Sequence, residues 1–298
     1  MDRLKVKNDF IFQKIFGQNE HKEILISFLN AVLALAGEKR LMDIEIIENT
    51  RLKKDHIDDK LGVLDIRAKA ITGEQFNIEV QLINQYNMDQ RTLFYWSKLF
   101  SELAHMRALK EGQPFQSLKK TITINILDFN YIGVEQYHSV FHLWEDFHKE
   151  CKLTDILEIH FLELPKFRKA RPDLSKPLDR WLIFIEDSPK EVRQMAINSD
   201  PAIAKAEELL ERLGSLDEVK RYYEAREMAI HDEVTRITGA KAEGHAEGRA
   251  EGEVEGILKG KIETAQNLLS MGMSIQDIVA ATGLAMEQIE QLKKKSSN

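Results

Sequence analysis

Apolar residues recur at helical spacing in the first part of the chain. Over 8–36, Phe12, Ile15 and Phe16, then Ile24, Leu25, Phe28, Leu29 and Val32, follow a 3.6-residue period. Gly17 and Gln18 interrupt it, so the pattern predicts two helices. The period then drops to two. "DIEIIENTRL" at 43–52 reads as a strand, and beyond the charged turn "KKDHIDDKLG" two more strands follow, over 63–70 and 76–82. From Asp89 to Lys110 the helical period returns, with Leu93, Trp96, Leu99, Phe100, Leu103 and Met106 on one side. Three further strands are predicted at 121–129 ("TITINILDF"), 137–144 ("YHSVFHLW") and 154–164 ("TDILEIHFLEL"). Helices, strands, a crossing helix and more strands make a mixed α/β core.

From about 178 only helical spacing remains, in "LDRWLIFIED", "PAIAKAEELLERL" and "LDEVKRYYEAREMAIHDEVTRITGA". The expected division is therefore a mixed α/β domain over 1–180 and an all-helical C-terminal region over 181–298. Within the latter, a glycine-repeat helix is expected over 240–262 and a helical hairpin over 263–295. Glycines at 244, 248, 252, 256 and 260 fall in a strict period of four. Each costs a helix about 1 kcal/mol relative to Ala. Close approach of a second helix along the row would offset that, since small residues let backbones come near each other. Homo-oligomerisation through these helices is the expectation, with a flexible, partly helical linker as the alternative.

Composition narrows the class. The 298 residues are 43% hydrophobic and 31% charged, with a net charge of −7. That balance fits a globular protein and gives no global attraction to polyanions, although a local basic face remains compatible with it. Cys151 is the only cysteine, so no intrachain disulfide forms and a reducing compartment, the cytoplasm, is expected. The apolar stretch at 24–37 is interrupted by Ser27 and Asn30 and falls short of the roughly 20 residues a bilayer span needs, so no membrane partner is expected.

Candidate chemistry lies in "VLDIRAKAITGEQFNIEVQ", 63–81. Alternation puts Asp65, Arg67 and Lys69 on one face of the first strand and Asn77, Glu79 and Gln81 on one face of the second. With a connection over 72–74, Asp65 would stand opposite Gln81 and Glu79 opposite Arg67, about 5 Å apart at Cβ. Two carboxylates that close are costly unless a cation lies between them, and a hard divalent ion such as Mg²⁺ takes one or two protein carboxylates. An ordinary half-exposed hairpin, its acids neutralised by Arg67 and Lys69, has the same pattern.

Asp followed a hairpin later by Glu-x-Lys is the signature of the PD-(D/E)xK nuclease superfamily, which Asp65, Glu79 and Gln81 resemble. The surroundings widen the likeness: "NDFIFQKIFG" at 8–17, "ILISFLNAVL" at 24–33, "LDIRA" with "FNIEVQ", "RTLFYWSKLFSE" at 91–102, "ITINILDF", and "FLELPKF" at 161–167. Together with the glycine repeat and "LLSMGMSIQDIVAATGLAMEQI", they resemble the recombination-promoting nuclease (Rpn) family, also described as transposase-like. The resemblance implies a restriction-endonuclease-like mixed sheet flanked by helices, with an all-helical C-terminal region following. It also implies a metal-dependent DNA endonuclease associated with recombination or mobile elements, using Mg²⁺ with Mn²⁺ as a substitute. On this resemblance Asp65 and Glu79 match the two metal-binding acids. Asp9 matches an acid at the first helix that binds or orients the metal, although Asn8 or Asp9 would equally serve as a helix cap. Gln81 stands where the superfamily has Lys and supplies no positive charge. Arg91, Lys98 and Lys69, in that order, are candidates to replace it. The alternative is a catalytically weak DNA-binding or self-assembling protein derived from such a nuclease.

Other groupings point to less. His138 and His142 would stand about 13 Å apart on a strand, which does not make a zinc pair. The basic run "KFRKARPDLSK" at 166–176 would contact phosphates or be a solvated loop, the latter being preferred. "SIQDIVAATGLAMEQIEQLKKK" reads as two helices around "TGL"; lacking a third helix to brace it, it is expected to be a packing hairpin rather than a helix-turn-helix.

Overall fold

Two amphipathic helices, six strands and a crossing helix form three layers in the computed structural model of the chain, which describes residues 3–47, 66–101, 112 and 114–296. Helix α1 (Asp9–Phe16) begins where the Asn8 side chain accepts from the Phe10 and Ile11 amides, and ends at Gly17. Helix α2 (Lys22–Val32) follows. Strands β1 (Ile44–Ile47), β2 (Ile66–Ala70) and β3 (Gln75–Gln81) lead into α3 (Met88–Phe100). Then come β4 (Thr121–Leu127), β5 (His138–Trp144) and β6 (Lys152–Glu163). Asp65 and the rest of 48–65, with 102–111 and 113, lie outside the described residues.

The sheet order is β1-β2-β3-β4-β6-β5. β3–β4 and β4–β6 are parallel and the other pairs antiparallel, which makes the mixed sheet that the periodicity predicts. Phe76, Ile78, Val80, Ile122, Ile124 and Ile126 face the main core, which includes Phe12, Phe16, Phe28 and Trp181. Across the sheet α3 covers a smaller cluster of Met88, Leu127, Leu157, Ile159 and Phe161. β4, central and covered on both sides, is buried throughout. With its mixed sheet flanked by helices, the architecture is restriction-endonuclease-like.

The β2–β3 register corrects the expected one. Arg67 pairs with Asn77, not with Glu79, and Ile66 with Ile78. The connection is 71–73, because Gly73 adopts φ +101 as the last loop residue and its amide donates back to the Ala70 carbonyl at 2.9 Å. Moving the loop back by one residue shifts every pair by two, so the faces are preserved. A second correction concerns α3. Leu93 is 50% exposed, and Thr92 takes the inward position, donating to Asn125 Oδ1 at 2.7 Å.

The remaining α-helices among the described residues are α4 (Leu164–Lys169), α5 (Pro177–Ile185), α6 (Lys190–Ser199), α7 (Pro201–Ser215), α8 (Asp217–Ser270), α9 (Ile275–Thr282) and α10 (Met286–Ser296). Contacts divide the chain into two units, Met1–Asp232 and Glu233–Asn298, whereas the sequence pattern puts the division at 180. Trp181, Leu182, Phe184, Ile203 and Leu210 belong to the main core, which carries the first unit past 180. In the second unit Ala265, Ile278, Leu284 and Ile289 form a small core of their own. The end of α8 thus supplies the third helix that the terminal pair is expected to lack, and Gly283, at φ 66, makes the turn.

Candidate active site

β3 and α3 build the site together. Alternation along β3 turns Asn77, Glu79 and Gln81 toward the α3 side, and the parallel register sets Glu79 beside Asn125 of β4. Thr92 anchors α3 to Asn125, whose amide donates to the His160 carbonyl at 3.0 Å. Trp96 Nε1 donates to the Thr121 carbonyl at 2.9 Å. The anchored helix presents Arg91 directly to Glu79.

Glu79 is 2% exposed. Its Oε1 accepts from Arg91 Nε at 2.7 Å and lies 2.6 Å from Nη2, while Oε2 is buried with no hydrogen-bond partner among the described residues. Burial pushes the Glu79 carboxyl above its ordinary range, and the Arg91 guanidinium offsets only part of that. A buried carboxylate oxygen left without a donor is costly, so this geometry suits a bound cation or an added donor. The oxygen is a hard ligand of the kind Mg²⁺ or Mn²⁺ prefers, and Thr123 Oγ1 on the neighbouring strand is likewise buried and unpaired among the described residues. A divalent cation therefore fits the group.

The other expected residues are distributed differently. Gln81 shares the Glu79 face, but its Nε2 donates to the Ile83 carbonyl at 3.2 Å, fastening the loop that follows. Of Arg91, Lys98 and Lys69, Arg91 is the one in contact with Glu79. Asp9 is gripped by Arg226 of α8, with Nε 2.8 and 3.0 Å from its two oxygens, and the capping role falls to Asn8. Asp65 lies outside the described residues. Among those described, no three His, Cys, Asp or Glu side chains converge to hold a metal ion. Sequence reasoning misses Asn125 and Thr92. Asn125 is readable, since Thr121, Thr123 and Asn125 alternate with isoleucines and must share a face; Thr92 lies hidden beside the more apolar Leu93.

In the basic run, Lys166 donates to the Ile132 carbonyl at 2.6 Å and pairs with Glu163, while Arg168 pairs with Asp128 and Glu186. These cations stabilise the ends of β4 and β6. On the face away from Glu79, His160 Nε2 lies 2.7 Å and His142 Nε2 2.9 Å from the two oxygens of Glu158, which Lys120 also reaches. No helix among the described residues is long and apolar enough to cross a membrane.

A family model described as PD-(D/E)XK nuclease family transposase matches residues 6–240, most of the chain. No curated protein and no solved structure matches it significantly.

Proposed function

The chain belongs to the PD-(D/E)XK nuclease family transposases, and on that premise we propose that it is a metal-dependent DNA endonuclease, hydrolysing phosphodiester bonds in recombination or the movement of mobile elements. The observation that carries this reading is Glu79: a fully buried carboxylate with one oxygen clamped by Arg91 and the other unpaired among the described residues. Glu79 and Asp65 are proposed to hold a divalent cation, Mg²⁺ with Mn²⁺ as a substitute. When bound, such an ion lowers the pKa of water and neutralises charge developing on phosphate. Arg91 has two tasks: it fixes the Glu79 rotamer, and it supplies the fixed positive charge that Gln81 lacks. Gln81 holds the loop after β3 in place. Asp9, matched by resemblance to a metal acid, already has both oxygens on Arg226, so it is proposed to act from outside the direct metal shell.

Nicking of supercoiled plasmid, with Mg²⁺, with Mn²⁺ and with chelator, tests the reading. The expected result is metal-dependent cutting lost in both Asp65→Ala and Glu79→Ala; cutting that survives both changes would refute it. DNA binding without cutting would instead favour a catalytically weak descendant, a reading supported by Gln81 in the place of Lys.

Self-association through the C-terminal helices is part of the proposal. A Cβ added at Gly244, Gly248, Gly252, Gly256 or Gly260 meets nothing within 4 Å among the described residues, so the row is open to a partner helix. Gly252→Leu is expected to dissociate the oligomer in sedimentation. An unchanged sedimentation coefficient, with a helix stabilised by about 1 kcal/mol, would remove this part of the reading.

A further inference from the structure

Arg91 grips Glu79 by one oxygen. An arginine and a carboxylate ordinarily meet as a fork, with two parallel N–H groups each on its own oxygen. Here Nε at 2.7 Å and Nη2 at 2.6 Å both lie on Oε1, while Oε2 of the same carboxylate has no hydrogen-bond partner among the described residues. A fork would satisfy Oε2 with no change of charge, so the one-oxygen grip needs a cause. Tyr95 supplies one: the Arg91 Cζ lies over its ring, 5.3 Å from the centroid.

The contact follows from the helix. Tyr95 stands four residues after Arg91 on α3, and a helical side chain leans over the turn before it, which brings the ring onto Arg91. The helix is not free to roll away from this contact, because Thr92 and Trp96, each one position further along, are hydrogen-bonded to β4. Tyr95 is half-buried, and the Phe94 ring meets it edge to face with 5.6 Å between centroids. The Arg91 side chain is only 17% exposed, so the ring stands where water would otherwise lie against the guanidinium. A cation within about 6 Å of a ring face is attracted to it, more strongly where water is excluded.

We propose that Tyr95 is a positioning residue: its ring holds the Arg91 guanidinium in the one-oxygen grip and so keeps Glu79 Oε2 open to a divalent cation. This rests on the nuclease reading above and deepens it, by naming what keeps the metal ligand available. Tyr95 acts on Glu79 through Arg91. The π face, rather than the phenol hydroxyl, carries the role. With the ring gone, the guanidinium is free to fork both oxygens and to compete with the cation for Oε2.

The test measures Mn²⁺ binding to the full chain by electron paramagnetic resonance, without DNA, for Tyr95→Phe, Tyr95→Leu and Tyr95→Met, each with a thermal melt. Tyr95→Phe keeps the π face and is expected to bind Mn²⁺ as wild type does. Tyr95→Leu and Tyr95→Met keep an apolar side chain of good helix propensity but no π face, and each is expected to lose about fivefold in Mn²⁺ affinity. In an Arg91→Gln background the same two substitutions are expected to change nothing, because the residue through which Tyr95 acts is gone. Wild-type affinity in Tyr95→Leu and Tyr95→Met would overturn the inference and leave the nuclease reading intact. A loss that persists in the Arg91→Gln background would also overturn it, making Tyr95 a packing residue, as would an equal loss in Tyr95→Phe. A wild-type chain that neither binds Mn²⁺ nor cuts plasmid would overturn both.

Discussion

Glu158 and Glu79 are buried on opposite faces of the sheet, and the chain treats them in opposite ways. Glu158 has both oxygens engaged, by His160 at 2.7 Å, by His142 at 2.9 Å and by Lys120. Burial works against its ionisation, but the bonds from His160 and Lys120 outweigh burial and hold the carboxyl far below the usual range. Glu79 has one cation on one oxygen and no described partner on the other, and burial pushes it up. A carboxylate saturated by its own chain ties strands together. One left half-satisfied is destabilised until something else arrives, which is the condition of a site rather than of a brace.

The largest expected effect is on the brace. Glu158→Ala strands Lys120, His142 and His160 and is expected to cost about 3 kcal/mol in urea denaturation at neutral pH. The same cluster sets an acid limit. Burial, and then the neighbouring His160, push His138 down to about 4, from an ordinary 6.5. As pH falls through that window the unfolded chain takes up a proton that folded His138 refuses, so stability drops. Below about 4.5 the depressed Glu158 adds to the loss, for its contribution is complete only above its unfolded pKa. Melting temperature against pH should therefore fall from about pH 6.5 downward, and the part below about 4.5 should be shallower in Glu158→Ala. A flat profile would break the contrast.

Glu79→Gln should do the reverse. Losses of roughly 10- to 100-fold are common when mere supporting residues of a metal site are changed, so removing the proposed ligand is expected to lower plasmid cutting by about 100-fold or more. Without metal, however, the substitution removes a buried charge whose raised pKa makes the fold less stable as pH rises above the ordinary 4.5. The amide that replaces the carboxylate keeps an oxygen for Arg91, and the variant's denaturation midpoint at neutral pH should equal or exceed that of wild type. A loss of stability comparable to Glu158→Ala would mean that Glu79 is a second brace.

Much of this contrast is legible in the residues, and the limits have physical causes. The period of two places Glu79 and Gln81 together on one face, resemblance singles out Glu79, and Arg91 stands first among three candidates to supply the charge that Gln81 lacks. The sequence misplaces the pairing between β2 and β3 by two residues because "TGE" allows two three-residue loops, and only the left-handed backbone of Gly73 decides between them. Thr92 escapes notice because its inward position depends on a hydrogen bond to Asn125, a residue of another strand. The brace is invisible for the same reason: Lys120, His142 and Glu158 come from three parts of the chain, and only the β4–β6–β5 order unites them. Local period reports faces; partners across strands are decided by register and strand order.

Arg91→Lys has the smallest expected effect and bears most directly on what separates the two glutamates. Both Glu79 contacts from Arg91 fall on Oε1, through Nε at 2.7 Å and Nη2 at 2.6 Å. A guanidinium holds that oxygen from two sides of a rigid plane, fixing the rotamer and leaving Oε2 open; an ammonium on a flexible stem is one point charge that is free to bridge both oxygens. Charge is conserved in the substitution, so any loss reports geometry. Cutting is expected to fall about tenfold, with the metal concentration for half-maximal rate rising as Lys competes for Oε2. An unchanged rate and metal dependence would show that charge alone suffices beside Glu79. The open oxygen would then owe nothing to the way Arg91 grips its neighbour, and the distinction between site and brace would rest on partner number rather than on partner geometry.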